Sequence, residues 1–296
     1  MKIIVIGSAN MDMVMETSRI PHRGETIHGE RFFLASGGKG ANQAVACARM
    51  GADTWLLGKV GDDLFGKSLV DSLTGYGVKP EFIAVEPDTT SGVAVITVCE
   101  GDNAIILDSG ANAKVTPAYI RQYEEELLSA DAVLLQLEIP LESVCEAIRL
   151  VKGKVPVFLN PAPAVAIDQD ILQGVDYFMP NEHECAFYTG QEIRGIEDAL
   201  AALDLLRAKG IRYPLITLGD KGVVYYDGST NVHKEGRKVN AVDTTAAGDT
   251  FAGTLAAMIC SGKSMDEAVD LAQQAASIAV TRSGAQHSIP SRSELI

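Results

Sequence analysis

The five cysteines, at positions 47, 99, 145, 185 and 260, are odd in number, scattered along the chain and never spaced C-x-x-C. That excludes a disulfide framework or a cysteine-based zinc site and predicts a reducing compartment. Positive charge is also scarce: 25 Lys and Arg face 39 Asp and Glu, for a net charge of −14. Nucleic acid and membrane surfaces are therefore poor partners, and an anionic substrate has to be held locally against the global field. No apolar run approaches a membrane span. The one that opens the chain, in MKIIVIG, is only four residues long, too short for a signal-peptide core. These absences predict a soluble cytoplasmic protein. No internal repeat or low-complexity linker is present, and no G-x-G-x-x-G, which argues against a nicotinamide-dependent oxidoreductase.

What the chain does have is a rhythm. Its 296 residues, 47% hydrophobic, suit one large α/β domain or two ordinary ones. Short apolar runs predict strands at 3–6, 54–57, 132–136, 155–159, 177–179, 214–217 and 222–226. Several are unbroken and β-branched, as buried parallel strands are. Helical patterns lie between them. One covers 41–50 and ends at Gly51; a second covers 197–209 and stops at Gly210; a third opens on a Ser264/Glu267 capping box and runs to about 280. The alternation predicts an α/β fold, a doubly wound and mostly parallel sheet with helices on both faces. Segments 11–34 and 92–108 break the rhythm with strand-like runs and no helix between them. VAVITV and NAIILD form a hairpin around residues 101–102. They predict a small inserted sheet acting as a lid or a dimer contact, an ordinary edge hairpin being the alternative.

Ligands of doubly wound sheets bind at the carboxyl ends of the strands, and the strand ends here are polar. Ser8, Asn10 and Asp12 follow the first strand, Glu138 the run at 132–136, Asn160 the run at 155–159. Asn181, Glu182 and Glu184 follow 177–179, and Gly219, Asp220 and Gly222 surround the end of 214–217. Each alone reads as a turn or cap; together they predict a polar crevice. A second cluster, SGGKGAN at 36–42, precedes a helix and carries Gly38, Lys39 and Asn42. Its glycines permit close backbone approach to a ligand, but the cluster lacks Walker spacing, and a glycine-rich helix entry with a solvated lysine explains it equally well. A third, DTTAAGD at 243–249, precedes a helical run at 250–260. Free N–H groups at a helix start bind anions, and Ala246, Ala247 and Gly248 carry nothing to obstruct one. Asp249 alone could be an N-cap, but a plain cap does not need the second carboxylate of Asp243.

Phosphoryl transfer to a hydroxyl needs a base, fixed positive potential and exclusion of water. An aspartate adjoining an anion hole supplies the first two at one spot, and a lid supplies the third. Mg²⁺ on nucleotide phosphates would offset the nearby carboxylates. Asn and Asp on one strand face suit a polyhydroxy substrate.

At these residues the chain resembles the ribokinase (PfkB-type) family of carbohydrate kinases. GSANMD (7–12), GGKGANQAV (37–45), QLEIPLESV (136–144), NPAPA (160–164), PNEHE (180–184), ITLGDKGV (216–223), AVDTTAAGDTF (241–251) and AVTRSGAQHSIP (279–290) appear in the family's order along the whole chain. The resemblance implies a single kinase domain over 1–296, ATP as phosphoryl donor, and a sugar 5-phosphate and ADP as products. Asp249 is similar to the family's catalytic base, and the N–H groups of Ala247, Gly248 and Asp249 to its anion hole. Asn10, Asp12, Gly38, Lys39, Asn42, Glu138 and Asp243 match sugar-contacting positions. Asn181, Thr217, Gly219, Gly222, Gly248 and Gln273 match the ATP site, and Glu184 a position that handles Mg²⁺ through water. Asp243, Thr245, Ala279, Arg282, Gly284 and Ser288 match a site for K⁺, an activating monovalent cation held largely by main-chain carbonyls. A homodimer in which lid sheets cover each other is implied as well. D-ribose is the leading acceptor, with deoxyribose, fructose or a nucleoside as rivals separated by few sequence marks. A non-catalytic sugar sensor on the same fold is the reading from another class.

Overall fold

The computed structural model of the protein describes residues 1–99 and 102–295. Among these residues ten strands form the main sheet. In spatial order they are Asn231–Lys234, Val223–Tyr226, Tyr213–Thr217, Tyr177–Phe178, Val157–Leu159, Ala132–Leu135, Lys2–Ile6, Asp53–Gly61 and Val78–Lys79. Ile83–Glu86 pairs with the far half of Asp53–Gly61. All pairings are parallel except the hairpins linking Tyr213–Thr217, Val223–Tyr226 and Asn231–Lys234 at one edge. Residues 223–226 thus pair antiparallel on both sides, next to the edge strand Asn231–Lys234, with Gly222 outside the strand at φ +97°.

Alternation along the buried strands feeds two cores. In Lys2–Ile6, Ile3 and Val5 join a core under helices Lys39–Arg49, Leu64–Gly75, Ala247–Cys260 and Met265–Ala279. Ile4 and Ile6 join a second core under helices Leu141–Val151 and Ile196–Ala208. The three helices expected from pattern are there, and Ser264 and Glu267 form the reciprocal capping box. Strand Lys2–Ile6 is also where the winding reverses, its neighbours being Asp53–Gly61 on one side and Ala132–Leu135 on the other. A crevice forms at such a point.

The second sheet has four strands, in the order Arg31–Gly37, Asn10–Glu16, Gly92–Cys99 and Asp102–Asp108. They fall on the two segments that break the rhythm of the main sheet. The expected turn at 101–102 lies partly outside the described residues. Phe32, Leu34, Val95, Ile105 and Ile106 of this sheet are exposed. Among the described residues no helix is long and apolar enough to cross a membrane.

Candidate active site

The strand ends and the two glycine- or alanine-rich segments converge on two abutting clefts. One, of about 320 Å³, is lined by Asn10, Leu107, Asn112, Glu138 and Pro163 among others. The second, of about 220 Å³, is lined by Lys39, Asn160, Asn181, Glu184, Thr217 and the turn Ala246–Asp249. They meet where the Lys39 N–H donates to Glu138 Oε2 at 3.0 Å. Ser8 Oγ donates to the same oxygen at 2.6 Å, fixing the carboxylate between the two clefts.

Asp249 is buried in the first turn of helix Ala247–Cys260 but does not cap it: the N-cap is Ala246, at φ +60°, with no side-chain cap. The carboxylate points instead across to helix Lys39–Arg49. Asn42 Nδ2 donates to Oδ2 and Gln43 Nε2 to Oδ1, each at 2.9 Å. The helices can approach this closely because Gly253 has no side chain; a Cβ there would lie 2.5 Å from the Gln43 carbonyl oxygen. The small residues after Asp249 thus serve helix contact, those before it the cleft. At the helix start Ala247 N–H is turned to Thr244 O at 3.2 Å. The N–H groups of Gly248 and Asp249 have no acceptor among the described residues, which leaves two donors and the helix dipole for an anion.

Asp12 is buried close to both Glu138 and Asp249. Burial, reinforced by the charges of Glu138 and Asp249, raises its pKa to about 7. Lys39 is pushed the other way, above its ordinary value. The Asp249 charge is the largest cause, opposed by burial and helped by Glu138 and Glu184, so the ammonium persists among three carboxylates. Gly38 sits at φ +90°, and a Cβ there would fall 2.7 Å from the Asn10 nitrogen. Asn10 Oδ1 accepts from Asn112 Nδ2 at 2.7 Å.

Asn181 and Glu184 form a capping box on helix Glu182–Thr189. The Asn181 N–H holds Glu184 Oε2 at 2.8 Å, leaving Oε1 for another partner. Burial raises the Glu184 pKa, against the Asn181 hydrogen bond and the Lys39 charge. Such a lone carboxylate suits Mg²⁺, which keeps most of its waters and relies on substrate phosphates. Among the described residues no group of three or more His, Cys, Asp or Glu could cage a metal.

The other expected residues lie outside both linings. Gly219 and Gly222 hold a tight turn at positive φ, and a Cβ on Gly222 would meet Lys234 O at 2.1 Å. Gln273 Nε2 reaches Lys234 O and Glu235 O at 3.4 and 3.3 Å, supporting that turn from behind. Asp243 accepts from the N–H of Thr245 and of Gly284, both at 2.9 Å. Arg282 turns its guanidinium to Glu294, so only its main chain is available to a cation. Ala279 O accepts Arg282 N–H and Ala285 O accepts Ser288 Oγ. These hard oxygens around an ionised Asp243 are of the kind a monovalent cation takes.

Sequence reasoning overlooked Gln43, Gln136 and Asn112, all buried; adjacency of Gln43 to Asn42 was the available signal. It also passed over GDDLFGKS at 61–68, which has Walker spacing. There Asp63 caps helix Leu64–Gly75 by accepting Gly66 N–H at 2.7 Å, and Lys67 pairs with Asp71 in solvent. The glycine amide a phosphate would need is taken by a carboxylate.

The profile of the pfkB family carbohydrate kinases matches residues 1–292. A ribokinase of Bacillus subtilis is 40% identical over 297 residues, covering 99% of this chain and 97% of the relative. A deoxyribokinase of Salmonella typhi is 37% identical, covering 98% and 96%. The structure of an Arabidopsis thaliana ribokinase complexed with ribose and ATP superposes with a TM-score of 0.93 at 34% identity, covering 99% and 96%. The chain belongs to the pfkB family of carbohydrate kinases and is a sugar kinase.

Proposed function

We propose that the protein transfers the γ-phosphoryl group of ATP to D-ribose, giving D-ribose 5-phosphate and ADP, as a single kinase domain over 1–296. The observation that carries this reading is the buried Asp249 carboxylate, fixed by two amide donors beside two free helix N–H groups. The carboxylate takes the proton of the attacking hydroxyl. The N–H groups of Gly248 and Asp249, with that of Ala247 turned from Thr244, stabilise charge on the phosphoryl oxygens. Asn10, Asp12, Gly38, Lys39, Asn42 and Glu138 orient the sugar hydroxyls. Asp243 supports that wall from the loop behind it.

Asn181, Thr217, Gly219, Gly222, Gly248 and Gln273 form or support the nucleotide side, with Glu184 placed to hold Mg²⁺ through water. Mg²⁺ supplies charge neutralisation on the nucleotide phosphates. K⁺ is assigned to the loop of Asp243, Thr245, Ala279, Arg282, Gly284 and Ser288. Segments 11–34 and 92–108 form the lid, and two lids pack in a homodimer. Five free cysteines fit the cytoplasm.

The test is ATP consumption over ribose, 2-deoxyribose, fructose and common nucleosides, with Asp249→Asn in parallel. Ribose is expected to have the highest kcat/KM, and the variant to lose on the order of 10²-fold or more in turnover with binding retained. Near wild-type turnover in Asp249→Asn would remove the base assignment. The 37% identity to a deoxyribokinase favours deoxyribose as the second reading; a higher kcat/KM for it would replace ribose.

A further inference from the structure

Behind Asp249 lies a line of buried amides that no sugar or nucleotide position accounts for. Gln43 and Gln136 are both 0% exposed. Gln43 Nε2 donates to Asp249 Oδ1 at 2.9 Å and to Asn160 Oδ1 at 3.2 Å. Gln43 Oε1 accepts from Gln136 Nε2 at 2.6 Å. Asn160 Nδ2 in turn donates to Met179 O at 2.9 Å. Gln136 and Asn160 directly follow or closely follow strands Ala132–Leu135 and Val157–Leu159, so the line is anchored to the sheet.

The direction of this line is forced. An ionised carboxylate only accepts hydrogen bonds, so Gln43 must turn its NH₂ to Asp249. Its oxygen then faces Gln136, which must turn its own NH₂ inward. Gln136 Oε1 is left buried without a partner among the described residues. It occupies the space where a side chain on Gly7 would begin, 2.1 Å from such a Cβ. Leaving a buried acceptor unmatched is unfavourable, so packing alone does not account for a buried polar line with an open end.

From this we infer that Gln43, backed by Gln136, is a positioning residue for the proposed base. It fixes the plane of the Asp249 carboxylate together with Asn42, leaving the remaining lone pairs for the hydroxyl proton. Both amides sit behind the carboxylate. The inference rests on Asp249 acting as the base.

The experiment compares Gln43→Met, Gln136→Met, the double variant and Asp249→Asn, with steady-state kinetics from pH 5 to 9 and the best acceptor sugar. Gln43→Met is expected to lower kcat about 10- to 100-fold with both KM values within about 3-fold. Gln136→Met is expected to lose about 3- to 10-fold, and the double variant to be no slower than Gln43→Met, because one acts through the other. Gln43→Glu keeps the shape and is the variant to read if the methionine does not fold. It should be slow at pH 8 and regain part of its rate toward pH 6, where the new carboxyl can donate. Wild-type kcat in Gln43→Met or Gln43→Glu alongside a disabled Asp249→Asn overturns the relay and spares the base. Single losses that multiply in the double variant also overturn it. Wild-type turnover in Asp249→Asn removes the base on which the relay depends.

Discussion

The carboxylate of Asp243 accepts the backbone N–H of Gly284 at 2.9 Å across 41 residues of sequence. Its other oxygen takes the Thr245 N–H at the same distance. One side chain thus ties the turn ahead of helix Ala247–Cys260 to the loop after helix Met265–Ala279. Burial, the largest influence on this carboxyl, works upward, but the hydrogen bonds from Thr245 and Gly284 outweigh it and hold the group below its usual value. A cation seated here would steady the anion-binding turn through that link. Wild type is therefore expected to turn over faster in KCl than in NaCl at equal ionic strength. Asp243→Ala breaks this link between the two loops and is expected to lower kcat about 10-fold and to flatten the K⁺ response. Equal wild-type rates in both salts would argue against a cation in this loop.

Gly38 is a second point where backbone geometry carries the site. At φ +90° and ψ 132° its conformation is one that residues with a side chain avoid. A Cβ would also press on Asn10 N at 2.7 Å and Ala9 Cα at 2.9 Å, backbone that cannot swing aside as a side chain would. Gly38→Ala is expected to cost about 1–3 kcal/mol of stability, visible as a Tm lower by roughly 3–10 °C. Because the displaced strand carries Asn10 and Asp12, sugar KM should rise several times more than nucleotide KM. Equal changes in the two KM values would show that the strain is not transmitted to the sugar side.

Much of this was legible in the sequence because the signals are local. Parallel strands such as 3–6 are buried on both faces and read as unbroken β-branched runs. The capping box at Ser264 is a four-residue pattern. The polar ends of strands are visible for the same reason, which is why Asn10, Glu138 and Asn160 stood out. What escaped was tertiary. That Asp249 turns away from its own helix start toward Asn42 and Gln43 depends on Gly253 allowing two helices together, 210 residues apart in sequence. Gln136 read as the last strand residue because its amide pairs only across space. Asn181 and Glu184 do form a local pattern, N-x-x-E, and a helix-start search would have found their capping box.

The outer lid surface yields a prediction about assembly. Phe32, Leu34, Val95 and Ile106 present apolar side chains to solvent from one face of the four-stranded sheet. An exposed apolar sheet surface of this kind favours association. Ile106, at 74% exposed, lines neither cleft. Sedimentation of the wild type at micromolar concentration is expected to give twice the chain mass of 31.4 kDa, and Ile106→Glu to give the single mass with a higher sugar KM. A wild type that sediments as a single chain would count against the paired lids.

In the proposed function Asp12 links sugar binding to pH. Its folded pKa is raised to about 7, by burial first and then by Glu138 and Asp249, whereas an unfolded aspartate titrates near about 3.9. Across the window from about 4 to about 7 the native chain holds a proton that the unfolded chain has lost. More protons are bound in the native state, so this group makes stability fall as pH rises through the window. At about 1.4 kcal/mol per unit the ceiling is ~4 kcal/mol. Asp12→Asn removes the titration. Urea unfolding of the sugar-free protein at pH 5 and pH 8 is therefore expected to show a wild type that loses a few kcal/mol more than the variant between the two. A wild type with the same pH slope as the variant would sink the assignment. In the proposed complex, sugar hydroxyls donate to the ionised form and so favour it. Binding must then expel the proton, and wild-type sugar affinity should strengthen from pH 6 to pH 8. Calorimetry at pH 6.5 in buffers of different ionisation enthalpy should record release of a fraction of a proton, and Asp12→Asn should show that contribution gone.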